Sequence, residues 1–142
     1  MRTVKSFDQF KVGDQARFRK TIVESDVYLF AGITGDLNPV HVDAEFAGTT
    51  VFGRRVAHGM LTGGLISAVL GTRLPGPGTI YLSQTLKFLL PVYPGDTITA
   101  EVEVIEKIAG KNRLRLRTTC YNQKGEAVLD GEAVVVLGKE VI

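Results

Sequence analysis

The stretch Gly35-Asp36-Leu37-Asn38-Pro39-Val40-His41 places a carboxylate and an imidazole five residues apart. Gly35 and Pro39 disfavour a helix there, so the segment reads as a loop carrying a paired acid and base. Such a pair can share one water molecule, one member accepting its proton while the other orients it or handles a second transfer. Asn38 orients the loop through side-chain hydrogen bonds to nearby backbone, and Pro39 fixes the turn. An Asp36 that merely closes the loop, and a His41 that is a satisfied polar residue, would leave the same spacing.

A second stretch, Ala57-His58-Gly59-Met60, opens an apolar run. The first N–H groups of a helix have no internal partners and lie at the positive end of its dipole. Gly59 can therefore present an N–H to a carbonyl oxygen without side-chain obstruction and stabilise an enolate-like oxyanion, or it can be a glycine needed only for packing. His58 reads as structural.

Ser67 is a lone hydroxyl in the same apolar run; it either bonds a carbonyl one turn back or positions Asp36 or a bound ligand. Leu70 shares its helical face and can wall an acyl pocket. Gln84 sits on the Leu82, Leu86 and Phe88 face of a strand, where it needs a partner. No metal is expected, because His41 and His58 are 17 residues apart without an obvious third ligand. Cys120, the only cysteine, falls on an inward strand face where a thiol is inert. Arg54 and Arg55 read as an exposed, solvated pair rather than a phosphate site. No phosphate loop or dinucleotide fingerprint is present.

The elements that must hold these residues follow from periodicity. Gln15 to Ile22 alternates weakly, as an edge strand does. From Glu24, Val27, Phe30, Ala31 and Thr34 recur at helical spacing, with Ser25 or Glu24 as cap and Gly35 as the stop. Asp43 caps a short helix through Ala44 to Ala47. Gly59 to Leu70 is apolar around nearly its whole circumference, which predicts a helix buried on all sides. Gly63 and Gly64 within it predict close approach of another backbone. Thr79 to Leu90, Thr97 to Glu106, Arg113 to Tyr121 and Glu126 to Leu137 are strands joined by turns, with one dry and one wet face. The pattern predicts an α+β chain: an antiparallel sheet curled around one long buried helix, in a single domain over residues 1–142.

Composition excludes other classes. Of 142 residues, 44% are hydrophobic and 23% charged, close to average globular usage, which disfavours disordered and fibrous chains. The net charge of +2 is spread along the chain without the basic stripe of a nucleic-acid surface. The start lacks an apolar core of signal-peptide length and no run is long enough to span a membrane, so a cytoplasmic location is expected.

TGDLNPVHVDAEFA, then AHGM opening an apolar helix, then LPGPGTIYLSQTLKFLLPVYPGDTITAEVEV together resemble the MaoC-like, (R)-specific enoyl-CoA hydratase family over most of residues 12–137. The resemblance implies a hot-dog fold and reversible hydration of a trans-2-enoyl-CoA to an (R)-3-hydroxyacyl-CoA, with no metal or organic cofactor. It assigns proton chemistry to Asp36 and His41, the oxyanion donor to the Gly59 N–H, and a place near the acyl chain to Ser67. It also implies a homodimer whose sheet crosses both subunits, acting on an acyl-CoA or an acyl-carrier protein. A thioesterase on the same fold, or a silent acyl-binding partner of a heteromeric dehydratase, are the competing readings.

Overall fold

A computed structural model describes residues 4–138. After a 3-10 turn at Phe7–Gln9, strand β1 spans Gln15–Thr21 and helix α1 Glu24–Thr34. Three more helices follow: α2 Pro39–Val42, α3 Ala44–Gly48 and α4 Gly59–Thr72. The remainder is β2 Thr79–Gln84, β3 Lys87–Phe88, β4 Thr97–Ile108, β5 Arg113–Tyr121 and β6 Ala127–Leu137. The strands form one antiparallel sheet in the order β1-β4-β5-β6-β2, with β3 also paired to β6. β1 is an edge, as its weak alternation predicts.

The sheet closes over α4. Ile98, Ala100, Val102 and Val104 from β4, and Leu114, Leu116 and Cys120 from β5, are fully buried and share one cluster with Leu65, Ile66, Val69 and Leu70 of α4. On the opposite face of β5, Arg115 pairs with Glu106 and Arg117 with Asp130. This is the hot-dog arrangement, an α+β fold in which an antiparallel sheet curls around a central helix.

Four local expectations need correction. α1 is not capped by Ser25 or Glu24: the Asp26 carboxylate reaches back to accept the Val23 N–H at 3.0 Å, the return half of a capping box, and also pairs with Lys20. The Asp36–His41 segment is not wholly loop, because Pro39 opens the single turn α2, where its missing N–H costs nothing.

Thr79 to Leu90 is not one strand. Gly131 on β6 leaves space that the Thr85 carbonyl occupies, 1.8 Å from where a Cβ at 131 would lie, so the chain dips towards β6 and the strand breaks into β2 and β3. Gln84 turns inward at the break and donates to Thr118 Oγ1 and to the Thr85 carbonyl, both at 2.8 Å. Thr118 is the partner Gln84 required. Leu82 and Phe88, expected on a dry face with it, are exposed.

Finally, α4 is buried on one side only. Thr62, Leu65, Ile66, Val69 and Leu70 face the sheet, while Met60, Gly64, Ser67 and Gly71 form an exposed stripe at helical spacing. A Cβ at Gly63 would make ordinary contact with Leu86 at 3.4 Å, and one at Gly64 would meet open space. Among the described residues no second backbone lies against either glycine.

Candidate active site

The loop after α1 is built by its own polar groups. Gly35 ends α1 in the left-handed region at φ 81°, its N–H bonded to the Ala31 carbonyl. The Thr34 hydroxyl accepts the Asp36 N–H at 3.2 Å, and Asp36 Oδ1 accepts the Asn38 N–H at 3.2 Å. Asn38 caps α2 by accepting the Val40 N–H at 3.1 Å, the orienting contact expected of it. Asp36 is thus set on a loop whose shape is specified by side chains within five residues.

His41 lies in α2 and its Nδ1 is 2.6 Å from the Val56 carbonyl oxygen. A carbonyl only accepts, so Nδ1 carries the hydrogen and Nε2 keeps the free lone pair. Val56 in turn donates its N–H to the Val40 carbonyl at 3.2 Å. The segment before α4 and the turn carrying His41 are thereby cross-linked twice.

His58, the N-cap of α4, is 2% exposed. Its Nε2 is 2.9 Å from the Asp36 carbonyl oxygen, so Nε2 bears the hydrogen there. Its ring stacks on His41 with centroids 3.8 Å apart and a tilt of 26°, and Phe30 of α1 lies 4.7 Å from its centroid. His58 Nδ1 and Thr62 Oγ1 are buried without a hydrogen-bond partner among the described residues.

Asp36, His41, His58 and Gly59 border a cavity of about 520 Å³ whose walls are chiefly apolar, including Phe88 and Leu129. Gly59 stands at its helical end, and no side chain caps this helix start by a hydrogen bond. A Cβ at Gly59 would fall 2.6 Å from Phe88 Cε1. The glycine therefore serves packing: with any side chain at 59 the Phe88 ring has to move.

Ser67 and Leu70 do not border this cavity. Ser67 is exposed on the outer stripe of α4, not inside a buried helix, and Leu70 is 1% exposed within the core. Arg54 and Arg55 are not a free pair either. Arg55 bonds the Glu24 carboxylate and the Tyr28 hydroxyl, and Arg54 lies 4.0 Å over the Tyr93 ring. Cys120 is buried, and burial pushes its thiol from an ordinary 9.0 up to about 12. It stays protonated and inert.

The expectation that the two histidines lack a third ligand is also corrected: Asp36, His41 and His58 offer atoms within 4.8 Å of one another. Their hydrogen bonds nevertheless suit proton chemistry better than a metal. The His58 nitrogen nearest Asp36 is protonated and committed to a carbonyl, and its other nitrogen is buried away from solvent. With Nε2–H committed to the Asp36 carbonyl, a cation bound to all three could reach His58 only through the buried Nδ1.

Reading the sequence locally missed His58, Thr62 and Phe88 as neighbours of Asp36, His41 and Gly59. Only the position of His58 immediately before Gly59 hinted at its place.

The sequence model described as MaoC like domain matches residues 9–125. The chain belongs to this MaoC-like family. It is 54% identical over 131 residues to an (R)-specific enoyl-CoA hydratase of Rhodospirillum rubrum, covering 92% of this chain and 90% of that protein. It is 53% identical over 134 residues to a 3-hydroxybutyryl-CoA dehydratase of Methylorubrum extorquens, covering 94% and 85%. Among solved structures, the R-hydratase PhaJ1 from Pseudomonas aeruginosa superposes with a TM-score of 0.89 at 51% identity, covering 95% of this chain and 86% of that one. Within this MaoC-like chain the candidate pair, the helix start and the apolar cavity occupy one end of α4.

Proposed function

We propose that this MaoC-like chain catalyses reversible, (R)-specific hydration of trans-2-enoyl-CoA to (R)-3-hydroxyacyl-CoA. The observation that carries the reading is the tautomer of His41. With Nδ1–H held by the Val56 carbonyl, Nε2 of the neutral ring is an acceptor, and a ring nitrogen of His41 lies within 4.8 Å of an Asp36 carboxylate oxygen at the edge of an apolar cavity that ends on Gly59. The names of the related hydratase and dehydratase describe the same interconversion in its two directions.

Two acceptors can hold one water by both of its hydrogens. As the water oxygen bonds C3 of the enoyl group, one proton stays on the new hydroxyl and the other passes through the Asp36 and His41 pair to C2. Between these events the thioester oxygen carries negative charge, which the Gly59 N–H at the positive end of α4 stabilises. The apolar walls, Leu129 among them, take the acyl chain. Neither proton transfer requires a metal or organic cofactor.

The acting unit is a homodimer. β2 is an unpaired sheet edge whose Ile80, Tyr81 and Leu82 are exposed, and the bare stripe of α4 is exposed as well. A second copy pairing along β2 would cover both surfaces. Ser67 would then lie at the subunit interface, reaching the acyl chain only there, with Leu70 in the core behind it. One buried cluster running from Phe10 to Leu137 supports a single domain. Among the described residues no helix is long and apolar enough to cross a membrane, and a cytoplasmic site of action is part of the proposal.

The test is to follow loss of enoyl absorbance on adding the protein to crotonyl-CoA, with chiral analysis of the product. Formation of the (R)-3-hydroxy thioester supports the reading. Release of free coenzyme A thiol without hydration would replace it by thioester hydrolysis.

A further inference from the structure

We infer that His58 is a positioning residue that holds Asp36, His41 and the start of α4 in one geometry; the inference rests on the hydratase reading above. Three contacts converge on this side chain. Nε2–H is bonded to the Asp36 carbonyl at 2.9 Å, which fixes the backbone of the residue carrying the carboxylate. The ring face lies on His41 at 3.8 Å, which fixes the plane of the imidazole. The backbone of His58 is the N-cap of α4 and leads directly into Gly59.

Among the described residues no other hydrogen bond reaches the Asp36 carbonyl. The bonds that shape its loop, from Thr34, Asp36 and Asn38, are local and leave the loop exposed. The Val56 bonds hold the His41 turn to the segment before α4, and His58 adds a tie at Asp36 itself from a buried site, with Phe30 also against it. The bond is also directional: the carbonyl takes Nε2–H and leaves the buried Nδ1 without a partner, so the ring has a defined tautomer as well as a defined plane.

A misplacement of about 1 Å at reacting groups can cost roughly 100-fold in rate. Losing the His58 bond should therefore act on turnover more than on binding, because the apolar walls that would take the acyl chain, such as Leu129, are other residues of the cavity. His58→Phe keeps a ring against His41 and removes the N–H. His58→Gln keeps an amide N–H that can reach the Asp36 carbonyl and removes the ring.

The test measures kcat, KM and melting temperature on crotonyl-CoA for wild type, His58→Phe, His58→Gln, Asp36→Asn and the double variant His58→Phe with Asp36→Asn. Positioning predicts that His58→Phe lowers kcat by about 10- to 100-fold with KM within about threefold. It also predicts that His58→Gln recovers part of the loss, and that the double variant loses less than the product of the single losses. Full kcat in His58→Phe, or multiplicative losses with no recovery in His58→Gln, would overturn it.

A wild-type protein without turnover would sink the hydratase reading alone. Nitrogen-15 NMR of the histidines in the wild-type protein then decides the positioning claim without any variant. Nε2–H on His58 together with Nδ1–H on His41 upholds it, and any other pair of tautomers overturns it.

Discussion

Asp36→Asn separates the chemical role of the carboxylate from its structural one. In the wild type, Asp36 Oδ1 accepts the Asn38 N–H at 3.2 Å, and the Asp36 backbone carbonyl accepts from His58. Asparagine keeps a carbonyl oxygen for the first bond and the same backbone for the second, so the loop should hold its shape. What changes is the other oxygen, which becomes an NH₂ group that donates and cannot take a proton from water. Because residue 36 is exposed and both bonds persist, the stability change should stay within about 0.5 kcal/mol. The rate should fall by about 10²- to 10⁴-fold, the usual loss for a positioned acid or base, which corresponds to about 2.7–5.4 kcal/mol of barrier. Steady-state hydration of crotonyl-CoA, read beside a thermal melt, measures both. Asp36→Ala supplies the contrast, since it removes the Asn38 acceptor too and should lower KM-limited capture as well as kcat. If Asp36→Asn retained kcat/KM within threefold of wild type at an unchanged melting temperature, Asp36 would have no part in the proton transfer and the assignment would fail.

Leu70→Ala empties a fully enclosed position and should cost about 2–5 kcal/mol in a urea titration with little change in slope, as a core cavity does. Gly131→Ala puts a Cβ against the Thr85 backbone oxygen, so it should destabilise by at least about 1–3 kcal/mol and loosen the β2 to β3 junction, read by amide exchange at Thr85 and Glu132. Cys120, raised to about 12 by burial, should resist a thiol-reactive dye at pH 8 until denaturant is added. The raised value also has a stability consequence: its contribution is complete below about pH 9, declines as pH rises through the window from 9 to about 12, and is lost above it. If the chain pairs along β2 as proposed, Leu82→Lys on that exposed edge should shift dimer towards monomer in sedimentation velocity, with the melting of the monomer unchanged.

The fold was legible wherever a period meets a boundary. β4 alternates cleanly because Ile98, Ala100, Val102 and Val104 meet α4 while Thr99, Glu101 and Glu103 face outward. α1 ends at Gly35 because only a residue tolerant of positive φ fits there. Asp36, Asn38 and His41 were legible as a group because the bonds that shape their loop are local. His58 was not, since its value lies in a bond to a carbonyl 22 residues away and a stack 17 residues away, and neither leaves a periodic signature. The break between β2 and β3 was hidden for the same reason: its cause, Gly131, sits across the sheet.

The exposed stripe of α4 marks a different limit. Apolar or small residues around a whole helix say that every face avoids water, but not whether the neighbour on each face belongs to the same chain. Leu65, Ile66, Val69 and Leu70 meet the sheet of their own chain, while Met60, Gly64, Ser67 and Gly71 meet none of it. The small residues on that stripe permit another surface to lie close without a bulky side chain between them. The same consideration applies to β2, where Ile80, Tyr81 and Leu82 form an exposed, largely apolar edge that a monomer in water would be expected to blunt with charge. Two adjacent elements thus carry the composition of buried surface while exposed in one chain. In the proposed homodimer a second copy would cover both at once, and Ser67 would lie at that interface as a small polar residue.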